Sequence, residues 1–196
     1  MKNLKACLLL YAALTIITGM AYPLAVTGIA RTWFRNQAEG SLIRIQGKVR
    51  GSSLIGQKFS SPAYFWPRPS AGDYGAVPSA ASNLGPTSAA LKKQVEERKK
   101  NLATYFSSPI PADLLLASGS GLDPQISPEA ALAQVEHVAQ ARGLKAEEKQ
   151  NLAALVKQSI QPPQWRVFGR PRVNVLLLNL ALDSLYPRAL PQGARP

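Results

Sequence analysis

The residues of this 196-residue chain best suited to chemistry lie between Ser118 and Pro128. Ser118-Gly119-Ser120-Gly121-Leu122-Asp123-Pro124 runs into Ser127-Pro128-Glu129. That second triplet is a strong helix start, with Ser at the N-cap, Pro at the first helical position and an acid in the first turn. Backbone amides of a glycine-rich loop before a helix N-terminus can hold an anion, which makes Ser118, Ser120 and Asp123 weak ligand-binding candidates. The competing reading, which the sequence favours, is a strand-to-helix turn in which Asp123 caps its own backbone.

No catalytic set accompanies this loop. The one histidine, His137, falls in the middle of a predicted helix and reads as a surface or packing residue. Residues 31–196 contain no cysteine, so a zinc site or thiol chemistry there is disfavoured. There is no Gly-x-x-x-x-Gly-Lys-Ser/Thr run to cradle phosphates. No Asp-Lys-Thr-Gly run exists either, so this chain is not the phosphorylated subunit of an ion pump. Asp73, Asp113 and Asp123 are dispersed. The expectation is a chain that is not an enzyme, with no catalytic residues, metal or cofactor of its own. The net charge of +12 is scattered, and its densest cluster, Lys92-Lys93 with Arg98-Lys99-Lys100, is interleaved with Glu96 and Glu97. That is the pattern of a solvated helix face, and nucleic acid is not an expected partner.

What must position any site is organised around the N-terminus. From Ala6 to Ala30 run 25 residues without a formal charge. As a helix rising ~1.5 Å per residue they would exceed a hydrocarbon core about 30 Å thick. A cleavable signal peptide competes, with Lys2 and Lys5 as its charged start, but its apolar stretch is typically about 7–15 residues. Thr15, Gly19, Pro23 and Thr27 recur every fourth residue as a slowly winding stripe of small or polar side chains, the type that lets membrane helices approach each other. Lys2 and Lys5 favour a cytoplasmic N-terminus, opposed by Arg31 and Arg35 at the other end. The expected organisation is a cytoplasmic N-terminus (1–5), a transmembrane helix (6–30), one soluble α+β domain (31–186) and a flexible tail (187–196).

Within the domain, Trp33 and Phe34 suit a membrane-interface collar. Leu42–Ile45 and Lys48–Arg50 form a possible hairpin about Gln46-Gly47, and Leu54-Ile55-Gly56 extends the second strand. Residues 59–87 are rich in Pro, Gly and Ser, yet they contain Phe59, Tyr64, Phe65 and Trp66. Disordered linkers are poor in aromatics, so an ordered, functional loop packed on the domain is expected. A helix follows from an N-cap at Thr87 to about Phe106, with Lys92–Glu96, Lys93–Glu97 and Glu96–Lys100 as charge pairs. Leu114–Ala117 reads as a buried strand. A helix from Ser127 to Gly143 buries Leu132, Val135 and Val138, and another over 146–160 presents Leu152, Leu155, Val156 and Ile160. After a loop containing Trp165, Arg172–Leu180 reads as a strand.

Several stretches together resemble one family. Gly51-Ser52-Ser53-Leu54-Ile55-Gly56-Gln57, Tyr64-Phe65 with Arg68-Pro69-Ser70-Ala71, and Ser82-Asn83-Leu84-Gly85-Pro86-Thr87 carry the first part. Ala117–Pro124, Ile126-Ser127-Pro128, and Arg172-Val173-Asn174-Val175 with Leu178–Asp183 carry the rest. In collinear order from the anchor to about Asp183, they are similar to the C subunit of the Kdp potassium-transporting ATPase. One departure is visible: the family often has paired glycines where this chain has Ala80-Ala81. If those glycines supply positive φ, this loop must bend differently.

The resemblance implies a noncatalytic subunit of a bacterial inner-membrane complex for high-affinity potassium import. The chain would be single-pass, with its domain extracytoplasmic. Its implied partners are a P-type ATPase subunit, a potassium-channel-like subunit and a small membrane peptide, besides the lipid bilayer; ATP and potassium would be handled by the complex. The family's subunit is described as a catalytic chaperone that raises the ATPase subunit's ATP affinity. Thr15, Gly19, Pro23, Thr27, Tyr64, Phe65, Arg68 and Asn83 are the candidate partner contacts. The alternative is an independent anchored or secreted domain that binds an anion or another ligand at 118–128.

Overall fold

The structure, a computed structural model, describes residues 2–107 and 109–187. It is a mixed α/β protein with one long apolar helix at the N-terminus followed by a compact domain. Its contacts fall into two compact units that divide between Ser52 and Ser53.

The first unit opens with α1 (Lys2–Ile16), a π segment (Ile17–Ala21) and α2 (Tyr22–Trp33). Together they form the one helix among the described residues that is long and apolar enough to cross a membrane, Asn3–Trp33, with a mean hydropathy of 1.8 and no buried residue. The π turn has a covalent cause. Pro23 has no N–H, so the carbonyl four residues earlier, on Gly19, loses its usual donor. The helix widens there, and the amide of Tyr22 reaches back to Ile17 O. Thr15 and Thr18 donate their hydroxyls to Tyr11 O (2.8 Å) and Leu14 O (2.7 Å), which keeps both side chains satisfied in an apolar setting. The helix stops at Phe34, whose φ of −129° is not helical, and the short α3 (Arg35–Ala38) follows.

The hairpin is formed by β1 (Leu42–Ile45) and β2 (Lys48–Ser52), antiparallel with an irregularity between Ile43 and Arg44. Its turn residues, Gln46 and Gly47, have φ of 52° and 77°, the left-handed pair a tight hairpin needs. The expected extension of β2 through Leu54-Ile55-Gly56 is absent. Gly56 instead donates its amide to Leu122 O at 2.7 Å, and a Cβ at that glycine would sit 2.7 Å from Asp123 O.

The second unit centres on a small antiparallel sheet in the order β3 (Gln125–Ile126), β5 (Arg172–Asn174), β4 (Ile160–Gln161). Its helices are α4 (Ala89–Leu102), α5 (Ala112–Leu115), α6 (Pro128–Ala133), α7 (Val135–Arg142), α8 (Ala146–Gln158) and α9 (Val175–Leu185). Phe65, Ile126, Val138, Leu152, Val156, Val173, Leu178 and Leu182 form the core.

Several sequence expectations need correction. Arg172–Leu180 is a strand only to Asn174. There the Asn174 side chain accepts the amide of Leu177 at 3.1 Å, and the apolar run continues as α9. A short apolar run fits a buried strand or a buried helix equally, and the cap decides between them. Leu114–Ala117 is likewise no strand: Leu114 and Leu115 end α5, where Asp113 sits in the first turn. The helix expected over 127–143 breaks at Gln134, so Leu132 is exposed while Gln134 is buried. The N-cap of α4 is Ser88 rather than Thr87, and the helix ends at Leu102. α8 stops at Gln158, leaving Ile160 to β4. The charge pairs expected along α4 do not close among the described residues, since exposed ion pairs gain little in water. Arg98 instead donates to Leu115 O at 2.8 Å. Of the expected flexible tail, residues 188–196 lie outside the described residues.

Candidate functional site

The aromatic loop is held by two buried side-chain amides. Phe65 donates its N–H to Asn179 Oδ1 at 2.9 Å, and Asn179 Nδ2 returns a bond to Phe65 O at 3.0 Å. The next residue is treated the same way: Trp66 N–H donates to Gln134 Oε1 at 2.7 Å, and Gln134 Nε2 to Trp66 O at 3.1 Å. Each amide thus mimics a strand partner for one residue, which lets an irregular segment enter the core with its backbone satisfied. The Phe65 side chain is consequently wholly buried.

Around this clamp sits a charged and aromatic cluster. Arg142, only 2% exposed, donates Nε to Ala63 O (2.8 Å), Nη1 to Tyr186 O (2.9 Å) and Nη2 to Asp183 Oδ1 (2.7 Å). Its guanidinium lies 4.9 Å from the centre of the Tyr64 ring, and the Tyr64 hydroxyl donates to Asp183 Oδ2 at 3.0 Å. Trp66 stacks on His137 with ring centres 4.5 Å apart and meets the edge of Tyr105 at 5.0 Å. Burial pushes the His137 pKa down to about 4, with the Tyr64 backbone acting in the opposite direction. Neither imidazole nitrogen has a hydrogen bond of good geometry. His137 is therefore a neutral packing ring at physiological pH, one of the two roles its sequence position suggested.

Of the three loop candidates, Ser118 is buried against the 59–87 loop, Asp123 is half-buried and Ser120 is exposed. Ser118 N–H donates to Pro69 O at 3.0 Å, and Arg68 Nη1 contacts Asp123 Oδ2 at 3.2 Å. Gly121, at φ 71°, has no room for a Cβ, which would fall 2.6 Å from Ala80 O. Several amides that an anion would need are engaged internally. Gly121 N–H meets Ser118 O, Leu122 N–H meets Ser120 Oγ, and Gln125 N–H meets Asp123 Oδ1 at 3.0 Å. At the start of α6, Ser127 N–H donates to Asp113 Oδ2 at 2.7 Å and Ala130 N–H to Ser127 Oγ at 3.1 Å. Beside the loop is an open groove of about 410 Å³ lined by Arg68, Arg170 and Arg172 facing Asp113, Asp123 and Glu129. Arg68 Nε and Arg172 Nε are buried there without a partner. Behind Arg68, the Tyr74 hydroxyl donates to Arg68 O at 2.8 Å. Burial, followed by the charge of Asp73, lifts its pKa to about 12, with Arg98 opposing.

Asn83 is exposed at φ 52°, a left-handed conformation that Asn tolerates. Positive φ in this loop falls on Asp73, Tyr74 and Asn83, not on Ala80 or Ala81. The chain thus bends away from its Ala-Ala pair without needing glycine there.

In the first unit, Thr15, Gly19, Pro23 and Thr27 are all exposed, and a Cβ on Gly19 would meet nothing within 4 Å. The π turn changes their geometry. In an unbroken α-helix, twelve residues would carry the stripe roughly 120° around the axis. Accommodating one extra residue takes back about 100°, so Thr15 and Thr27 end within about 20° of one face. The slowly winding stripe expected from sequence is straightened into a seam.

Sequence reasoning missed Gln134, Arg142 and Asn179. Only Asn179 carried a signal, as a lone amide in an apolar run; which backbone it would serve lies 114 residues away.

The family model described as "KdpC: K+-transporting ATPase, c chain" matches residues 4–184. A Rhodospirillum rubrum protein named "Potassium-transporting ATPase KdpC subunit" is 52% identical over 196 residues, covering 96% of this chain and 99% of the relative. Proteins of the same name from Cereibacter sphaeroides and Rhodopseudomonas palustris are 48% and 49% identical, covering 94% and 96% of this chain and 98% and 100% of the relatives.

Proposed function

The chain belongs to the KdpC family, the c chain of the K+-transporting ATPase, and we propose that it acts there as a single-pass assembly subunit. The observation that carries this reading is the exposed Asn3–Trp33 helix, whose small-residue stripe the π turn aligns on one face. In lipid such a face favours close packing against a neighbouring helix. The soluble part lies outside the cytoplasm, with the N-terminus inside. Arg68 and Asn83 are its proposed contacts with the ATPase and channel-like subunits, whereas Phe65 is wholly buried and Tyr64 is engaged with Arg142 and Asp183 inside the domain, so neither is retained as a contact; a small membrane peptide completes the assembly.

The chain itself binds neither potassium nor a metal, and it forms no phosphorylated intermediate. Its effect on the pump is that of a catalytic chaperone, raising the ATP affinity of the ATPase subunit. From across the membrane this requires coupling through the other subunits, because ATP is cytosolic. The test compares pump with and without this chain. The purified chain hydrolyses no ATP, and its addition to pump lacking it lowers the ATP concentration needed for half-maximal turnover. ATP turnover by the chain alone, abolished by Asp123→Ala, would contradict the proposal.

A further inference from the structure

The connection between β4 and β5 is a short, well-formed turn with an unexpected composition. Gln164 N–H donates to Phe168 O at 2.8 Å, Phe168 N–H returns to Gln164 O at 2.9 Å, and Val167 N–H also reaches Gln164 O at 3.1 Å. The two residues inside that last bond, Trp165 and Arg166, have φ of 51° and 64°. A pair of positive φ values is what a type I′ turn needs, and Asn-Gly is the usual way to supply it. Trp and Arg both resist that conformation, so the turn is held against their preference.

The side chains gain little inside the chain in return. Trp165 is 80% exposed, Val167 74% and Phe168 61%, and their main mutual contact is an edge-on meeting of the two rings at 5.9 Å. Arg166, Arg170 and Arg172 flank them, and no acid occurs between Gln161 and Val175. An exposed cluster of Trp, Phe and Arg on a fixed backbone is the composition of an interface hot spot. Strain in an exposed turn points to a geometry that something outside the chain reads.

We propose that this turn is a docking tip. It seats Trp165 and Phe168 in an apolar pocket with an acidic rim on another subunit of the potassium-transporting assembly. The inference rests on the chain being such a subunit and goes beyond it by naming the contact. A protein pocket is favoured over a lipid surface because lipid would accept the same side chains on any relaxed turn. A pocket rewards a backbone already in its bound shape. Arg166, exposed within the turn itself, supplies the positive charge that an acidic rim complements and that sets orientation, while Arg170 and Arg172 line the groove with Asp113, Asp123 and Glu129.

The experiment places photoreactive benzoylphenylalanine at position 167 of the full chain, in native membranes containing the whole pump. The expected result is an adduct with another pump subunit. An adduct with lipid, or no protein adduct while the chain still co-purifies with the pump, overturns the docking tip and leaves the assembly role standing. Failure to co-purify at all overturns both. As an independent reading, Trp165→Ala should weaken rebinding of the full chain to pump stripped of it by about tenfold or more, with Trp165→Phe retaining most of the affinity. Unchanged rebinding by Trp165→Ala, with the tip folded as before, would also overturn it.

Discussion

Between Ala63 and Trp66 the chain buries aromatic side chains and hands its backbone polar groups to Gln134, Asn179 and Arg142. Between Trp165 and Phe168 it pairs its backbone with itself and leaves the aromatic side chains in solvent. The first segment is irregular and the second is a tight hairpin turn, so regularity of backbone is a poor guide to which one faces a partner. A buried irregular segment must borrow hydrogen-bond partners from side chains, and those side chains then become structural. An exposed turn needs only itself, and its side chains remain available. Substitutions should therefore act on stability at the first segment and on association at the second.

The largest effect is expected at Arg142. Arg142→Ala strips a bond from each of two carbonyls and leaves Asp183 without its cation. Removing one partner of a well-buried ion pair costs about 3–5 kcal/mol, discounted toward the lower end because Asp183 is partly exposed. At roughly 2–4 °C per kcal/mol, thermal unfolding of the full chain in detergent should fall by about 6–12 °C. A change under about 1 °C would mean the cluster around Tyr64 does not hold the loop.

Asn179→Ala should come next, at about 2–4 kcal/mol, because both backbone groups of Phe65 lose their partners inside the core. Gln134→Ala should behave alike through Trp66. If either leaves the Trp66 fluorescence and the unfolding midpoint unchanged, the amide clamp is not what orders this segment.

His137 sharpens the comparison through pH. Its folded pKa of about 4 lies below the ordinary value near 6.5, so the unfolded chain binds the extra proton first. Its contribution is intact above about pH 6.5 and is lost as pH falls toward 4, by on the order of 3 kcal/mol in all. His137→Phe should flatten that part of the stability profile. An unaltered profile would show that burial beside Trp66 does not depress this group.

The smallest effect belongs to the exposed turn. Trp165→Gly removes the side chain and relieves a positive φ, so stability should change by no more than about 1 kcal/mol, in the stabilising direction if the strain outweighs glycine's added chain entropy. A loss as large as that at Asn179 would erase the distinction between the two segments.

Much of this architecture is legible in the residues themselves. The apolar N-terminal run, the Gln46-Gly47 hairpin, the Ser127-Pro128 helix start and the Gly143 stop are local signals, and each acts locally in the structure. The order of the 59–70 segment was readable from its aromatics. What holds it was not, because Gln134 and Asn179 look like any polar residues until the fold brings a distant backbone beside them. The strand expected through Leu180 failed for a related reason: an unbroken apolar run has no period to read, and a single N-cap at Asn174 turned it into a helix. The π turn follows from Pro23, but the aligned seam it makes of Thr15, Gly19, Pro23 and Thr27 emerges only when the helix is wound.

That seam and the subunit role meet in one measurement: recovery of the full chain, by affinity tag, from gently solubilised native membranes. The wild-type chain should bring with it a P-type ATPase subunit and a many-spanning channel-like subunit. Gly19→Leu should still insert in the membrane yet recover markedly less of both. Recovery of neither protein by the wild-type chain would contradict the account, and equal recovery by Gly19→Leu would contradict the seam.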